Sequence, residues 1–382
     1  MTLTGLTGTI YQALDQVVRS RVGFVGAVKA FSTDISADSL ALGQVVRIPI
    51  AGVSTAADIV PGQLPPDTGG QPITFKDMTL SKSRAVPLQW TGEEQKVVGG
   101  LLSGIMVDQY AQAFETLAYE IEVDAGTIAL ANASRFVGTS GTLPFGIPGD
   151  LSDFANIQRV LDDNGSPGYS RTLIIDSASK ANLRGKQSVL FKANEAGTDA
   201  LLREGTIGRV EGLDIRDTRF LGTAKTAGTG AGYLTNGVQA RGATTITVIT
   251  GTGTILAGDL VTIAGFTYTV ATALTAGSFT INSPGLQAAA TGGTAVTVVG
   301  ASATFTARGV AFQKSAIQGL FRTPAMPIGG DAADDVMLVT DPVSGLTFQI
   351  CMYRQYKQIH IEVGLAWGFG VVKPNYLVGL LG

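Results

Sequence analysis

The chain has 382 residues, enough to bury a core larger than that of one typical domain. Charged residues make up only 15% of it and the net charge is −3, so no strong field draws it to nucleic acid or to an anionic membrane. The single cysteine, Cys351, excludes an intramolecular disulfide and a cysteine-based metal cluster, and we expect it to be a buried, inert thiol.

The first residues lack the basic head and apolar core of a signal peptide, and no apolar run approaches the length of a membrane span. We therefore expect a cytoplasm-like compartment. Residues 8–20 place Ile10, Leu14, Val17 and Val18 at helical spacing, which predicts a short amphipathic helix.

Two strands are predicted next, over 44–53 and 73–90, where apolar and polar residues alternate. The stretch between them, STAADIVPGQLPPDTGGQP, is rich in Pro, Gly and Asp and predicts a long polar tip. A two-stranded arm is marginal in isolation, so we expect it to lie on another surface.

The strongest helical pattern runs from Leu101 to Ser134 and predicts a helix of roughly 50 Å. Along it, Asp108, Glu115 and Glu122 recur every seven residues as an acidic stripe. The stripe is either a solvated face or a seam for basic residues, with Arg354 and Lys357 as candidate partners.

Beyond a glycine-rich break, the chain reads as α/β: a helix over 151–165, a buried strand from 171 and a further helix, followed by turns and short strands. The block 222–303 then contains only three ionised residues, Lys225, Arg241 and Asp259. Closely spaced strand patterns and glycine turns predict a small sandwich or barrel there.

A weak helical signal follows at 310–320, and the remainder is predicted as strand. The stretch QIHIEVGLAWGF alternates cleanly, with Ile359, Ile361, Val363 and Leu365 on one face.

The search for chemistry finds no catalytic group. His360 is the only histidine and lies on the polar face of the last predicted strand, which leaves no Ser-His-Asp unit and no histidine-rich metal site. The pairs Asp162–Asp163 and Asp334–Asp335 lie beside turn residues, where helix-end and loop roles are expected. We therefore predict that the chain is not an enzyme and has no cofactor or metal.

The chain runs from an N-terminal helix through a two-stranded arm, a long helix and an α/β part to the inserted strand block, and it contains the stretches AGDLVTIAGF, GVAFQKSAI and GLAWGFGVVKPNYLVGL. This order of elements resembles the major capsid proteins of tailed bacteriophages, which have the HK97-type fold, and most closely the P22-like coat protein family. AGDLVTIAGF resembles the family's pattern of Gly-Asp, alternating apolar residues, Gly and an aromatic residue. GVAFQKSAI resembles Ala-Phe-His-Lys-x-Ala, with Gln313 where His is common, and GLAWGFGVVKPNYLVGL resembles the family's last strand.

The resemblance implies an α+β capsid fold with an inserted small β-barrel or sandwich domain. Its parts would be an N-terminal arm, an E-loop with flanking strands, a peripheral domain with a long spine helix, an axial domain, the inserted β domain, and a return through the axial domain to the peripheral-domain sheet. Their expected bounds are 1–40, 41–92, 93–147, 148–221, 222–303 and 304–382.

The resemblance also implies self-assembly as pentamers and hexamers into an icosahedral head around double-stranded DNA, which the protein contacts weakly and non-specifically. Implied partners are a separate scaffolding protein, a portal protein and a decoration protein; the protein would be assembled in the host cytoplasm and would reside in the virion, without membrane contact. Two alternatives are an encapsulin-like nanocompartment shell and a β-rich adhesin or carbohydrate-binding protein. The predicted subunit contacts are Lys76, Lys82, Arg84, Trp90, Asp108, Glu115, Glu122, Arg354 and Lys357.

Overall fold

The computed structural model describes residues 3–17, 23–30, 41–50, 61, 73–187, 208–219, 221–341 and 344–382. The predicted tip of the two-stranded arm, apart from residue 61, lies outside the described residues. The helices are α1 (Leu3–Val17), α2 (Gly92–Val98), α3 (Leu102–Ala131), α4 (Ser152–Asp163) and α5 (Ser177–Lys186), with short 3-10 helices at Gly99–Leu101 and Pro374–Tyr376.

Twenty-one strands accompany these helices in the described residues. The first ten are β1 (Lys29–Ala30), β2 (Val45–Ile50), β3 (Thr74–Thr79), β4 (Lys82–Thr91), β5 (Arg135–Val137), β6 (Arg171–Ile175), β7 (Arg209–Val210), β8 (Leu213–Asp217), β9 (Ala224–Thr226) and β10 (Ala231–Thr235). The others are β11 (Thr245–Thr252), β12 (Leu260–Ile263), β13 (Phe266–Thr275), β14 (Ser278–Ile281), β15 (Ala295–Val298), β16 (Thr304–Gln313), β17 (Ile317–Arg322), β18 (Asp335–Thr340), β19 (Thr347–Gln355), β20 (Gln358–Val371) and β21 (Leu377–Leu381).

A six-stranded sheet forms around the long strand β20. Its order is β1–β17–β20–β19–β18, and β4 also pairs antiparallel with β20. The predicted alternation of β20 is confirmed: Ile361, Val363 and Leu365 are buried on the core face. Helices α1 and α3 cover that face, and they fill the main hydrophobic core together with it.

Helix α3 is the predicted long helix, and its 30 residues span about 45 Å. Helix α1 begins earlier than the sequence pattern suggested, at Leu3 instead of 8, and residues 18–20 of the predicted helix lie outside the described residues. Its first turn includes the buried residues Leu3 and Leu6, which pack into the main core and extend the helix toward the N-terminus.

The helix, the buried strand and the further helix predicted for the α/β part are confirmed as α4, β6 and α5, and apolar side chains from all three share one hydrophobic cluster. Gly165 closes α4 at a φ of 71°, a left-handed conformation that glycine adopts without strain. Asp176 caps α5 by accepting a hydrogen bond from the Ser179 backbone N–H at 2.9 Å. The weak helical signal at 310–320 was wrong, because this stretch forms the end of β16, a turn and β17. Both strands pair with buried neighbours, and that pairing outweighs the local helical spacing.

The nearly uncharged block forms the short strands that were predicted. Six of them pair antiparallel in a closed cycle, β10–β11–β14–β13–β12–β15 and back to β10. The segment 259–270 contains two strands, β12 and β13, because the chain reverses at Ala264 and Gly265, both with positive φ. The chain enters the block through β9 and leaves through β16, and these two strands pair with each other.

Candidate functional site

Strands β2 and β3 form a ribbon that pairs with no third strand of the described residues. The register places Val46 opposite Met78 and Ile48 opposite Lys76. One face of the ribbon is docked on its own subunit, where Val46, Ile48 and Met78 are buried against Leu80 and Leu320.

The opposite face of this ribbon is open and largely apolar. Phe75, Ile73 and Val45 keep 59%, 62% and 48% of their surface exposed. Arg47 and Asp77, cross-strand neighbours on the same face, form an exposed ion pair at 3.3 Å. Exposed apolar side chains that cluster on a two-stranded ribbon are typical of an interaction surface.

The docked base of the ribbon depends on a close approach to β20. A Cβ atom at Gly368 would lie 2.1 Å from the Thr79 carbonyl oxygen, and one at Gly370 would lie 2.9 Å from the Met78 side chain. Glycine at these two positions therefore lets the ribbon cross β20 in direct contact.

The basic residues predicted on the arm differ in their surroundings. Lys76 is exposed on the ribbon. Lys82 and Arg84, on β4, face α3 of their own subunit and pair with Asp124 at 2.8 Å and Glu120 at 3.5 Å. Their role as contacts with another subunit stays a prediction.

Trp90 lies inside its own subunit, and its predicted contact with another subunit stays a prediction. Its side chain is buried, and its indole N–H donates to Gln109 Oε1 at 2.7 Å. It packs β4 onto α3 within the subunit.

The three residues of the acidic stripe have different surroundings, and the seam with basic residues stays a prediction. Asp108 is exposed, and Glu115 is about half exposed and pairs with Arg219. Glu122 is 3% exposed and lies inside the subunit.

The basic residues expected to pair with the stripe lie elsewhere. Arg354 is 3.9 Å from Asp334, and exposed Lys357 lies at the β19–β20 turn with its ammonium 5.4 Å from the centroid of the Tyr356 ring. Whether they contact another subunit stays a prediction.

Glu122 holds a turn of the N-terminal segment, a role that the sequence pattern did not indicate. Its Oε1 accepts the backbone N–H groups of Phe24 and Val25 at 2.9 and 3.1 Å, and its Oε2 accepts the Thr218 hydroxyl at 3.1 Å. Burial raises the pKa of Glu122, and these hydrogen bonds oppose that rise. One carboxylate thus joins α3, the turn before β1 and the residue after β8.

The other candidate polar residues have structural partners. Asp162 pairs with Arg171 at 2.6 Å, and Asp335 accepts the Leu3 N–H at 2.9 Å. His360 Nε2 lies 3.1 Å from Glu362 Oε1 on the polar face of β20, and Cys351 is buried as predicted, with burial raising the pKa of its thiol.

Within the described ranges, no group of three histidine, cysteine or acidic side chains is placed to hold a metal ion. The described helices also include none with the length and apolar character needed to cross a membrane.

No protein-family model matches the chain, and no curated protein matches it. Among solved structures, it is similar to one from Mycobacterium phage Che8, with a TM-score of 0.50, 14% identity, and coverage of 94% of this chain and 91% of that chain. It is also similar to a capsid structure of the cyanophage P-SCSP1u (TM-score 0.48, 13% identity, coverage 93% and 86%) and to a structure from Gordonia phage Cozz (TM-score 0.45, 12% identity, coverage 94% and 86%). The likeness to the Che8 structure shows that the two chains share a fold. The expected α+β fold class is confirmed, while the P22-like assignment stays a prediction.

Proposed function

We propose that this chain is the major capsid protein of a tailed bacteriophage, with the HK97-type fold, and that it acts by repetitive self-association around DNA without a chemical step. The observation that carries the proposal is the ribbon: one face is docked on its own subunit, and the other presents exposed Phe75, Ile73 and Val45. The fold shared with a phage protein supports the same conclusion. A second copy of the chain is the partner that would cover this face.

The paired strands β9 and β16 support reading block 222–303 as an inserted domain, because both ends of an insertion must leave the host sheet side by side. Its closed cycle of strands supports the P22-like assignment. Of its three ionised residues, Asp259 is fully buried and lies 4.0 Å from Lys225. A surface with so little charge fits a subunit that is packed among copies of itself.

Assembly from many modest contacts fits this design. Each 1.4 kcal/mol of contact energy is about tenfold in affinity, and contacts repeated over a closed shell add to large avidity. The scaffolding, portal and decoration partners, the pentamers and hexamers, and assembly in the host cytoplasm belong to the proposal as well.

Replacing Phe75 with serine tests the ribbon directly. We expect the particle yield to fall sharply, because the exposed face loses its largest apolar side chain. The stability of the isolated subunit should change by less than about 0.5 kcal/mol, since Phe75 is exposed. Electron microscopy of the expressed protein and denaturant unfolding measure the two effects.

A matched control lies on the other face of the same strand. Met78→Ala should lower the free energy of unfolding by about 2–5 kcal/mol, because Met78 is buried. Normal particles from Phe75→Ser would contradict the role of the ribbon. Closed particles that hold only protein cargo would favour a nanocompartment shell over a phage head.

A further inference from the structure

The strands that end each sheet differ in how they are protected against pairing with another chain. Unpaired strand edges attract further strands, and proteins block them with Lys, Arg or Pro or keep them very short. Strand β4 carries Pro87, Lys82 and Arg84, and the ribbon strands carry Arg47, Pro49 and Lys76. The end strands β1, β7 and β9 have only two or three residues each.

Strand β18 is the exception among these end strands of the described sheets. Its six residues, DVMLVT, contain no Lys, Arg or Pro and include four consecutive apolar residues. It pairs with β19 along one side and ends the six-stranded sheet. An unprotected apolar edge of this kind promotes aggregation by pairing with other chains, unless a specific strand covers it.

The two faces of β18 have different surroundings. On the core face, the Asp335 carboxylate accepts a hydrogen bond from the Leu3 N–H at 2.9 Å, and the Met337 sulfur accepts one from the Thr7 hydroxyl at 3.8 Å. Helix α1 therefore covers this side of β18. On the opposite face, Leu338 is 58% exposed and Val336 is 37% exposed. A strand added at this edge would cover both side chains while α1 stays in place.

We propose that β18 pairs antiparallel with β18 of a second copy across a two-fold axis, which joins the two six-stranded sheets into one. The inference rests on the proposed self-association and names a second interface for it. Like strands can pair around a two-fold axis so that both open edges are removed at once by a single contact.

The sequence of the strand fits pairing with itself. With Met337 on the axis, Val336 of each copy lies opposite Leu338 of the other, so the open face gains two apolar cross-strand pairs. No charge lies within the apolar run. The antiparallel direction also separates the two Asp335 carboxylates, which a parallel pair would place side by side.

Cysteine cross-linking tests this register. Val336→Cys and Leu338→Cys chains are prepared separately in a Cys351→Ser background, because Cys351 is the cross-strand neighbour of Val336 within the subunit. Under mild oxidation, the mixture of the two chains should form a disulfide-linked dimer, and neither chain alone should. Ala85→Cys, on the exposed and blocked edge β4, is the matched control and should form none.

A charge variant gives an independent readout. Leu338→Lys should weaken association of the full chain by about tenfold or more, measured by sedimentation, while Ala85→Lys should not. Both variants should unfold at the wild-type denaturant concentration.

The outcomes separate this proposal from the proposed function. Particles that form without the mixed disulfide, or with Leu338→Lys as efficiently as with the wild type, would overturn the β18 interface and leave the capsid function standing. A mixed disulfide in material that never forms particles would support the interface and count against the capsid function.

Discussion

Replacing Glu122 with alanine is expected to lower the free energy of unfolding by about 3 kcal/mol. The substitution removes the acceptor of the Phe24 and Val25 N–H groups and of the Thr218 hydroxyl, all of which are buried. A buried donor without a partner costs about 1–3 kcal/mol, and relief from burying the carboxylate offsets part of the sum. Denaturant unfolding of the full chain measures the change.

The matched control lies one heptad earlier on the same helix. Glu115 and its partner Arg219 are both about half exposed, so Glu115→Ala should change stability by less than about 1 kcal/mol. Equal effects of the two substitutions would show that the turn at 23–28 does not depend on Glu122.

The pH dependence of stability gives a second measurement on Glu122. Because burial raises its pKa in the folded chain, the folded state takes up a proton at a pH where the unfolded chain is still ionised. Relative to Glu122→Gln, the wild-type chain should therefore gain stability as the pH falls through the raised folded pKa. The gain should end below the ordinary glutamate pKa, where both states are protonated. The opposite slope would contradict the assigned direction.

Replacing Trp367 with alanine is expected to lower the free energy of unfolding by about 3–5 kcal/mol. The side chain is fully buried on β20, and its indole N–H donates to Asp124 Oδ2 at 2.8 Å. Asp124 also pairs with Lys82 at 2.8 Å, so the loss leaves a cavity and weakens the joint of β4, β20 and α3. Because the Trp367 carbonyl also accepts the Ser81 N–H at 3.1 Å, the base of the ribbon should loosen and the particle yield should fall.

Trp367→Phe separates the cavity from the hydrogen bond. It keeps most of the ring volume and removes the N–H donor, so we expect a loss of about 1–2 kcal/mol. A loss as large as that of Trp367→Ala would show that the contact with Asp124, and not the packing, dominates.

The ribbon shows how far the sequence pattern reaches into the candidate site. Alternation predicted strand over 44–53 and 73–90, but the second range contains two strands, β3 and β4, which lie in different sheets. The apolar positions change from odd numbers (Ile73, Phe75) to an even one (Met78) from the start of that range to the end of β3. Since side chains in a strand alternate between faces, this change places the two sets on opposite sides. Which side is docked depends on where β17 and β20 lie, and β3 alone carries no information on that.

The length of α3, the two faces of β20 and the strand-rich, nearly uncharged block could be predicted from the sequence, because each depends on a local period of apolar residues. The different burial of Glu115 and Glu122 could not be predicted in this way. Seven residues make nearly two helical turns, so both point in almost the same direction from α3. The turn at 23–28 and Thr218 cover Glu122, whereas Glu115 stays about half exposed to solvent. Burial of a side chain is set by the segments that pack over it, and those segments lie about a hundred residues away in the chain.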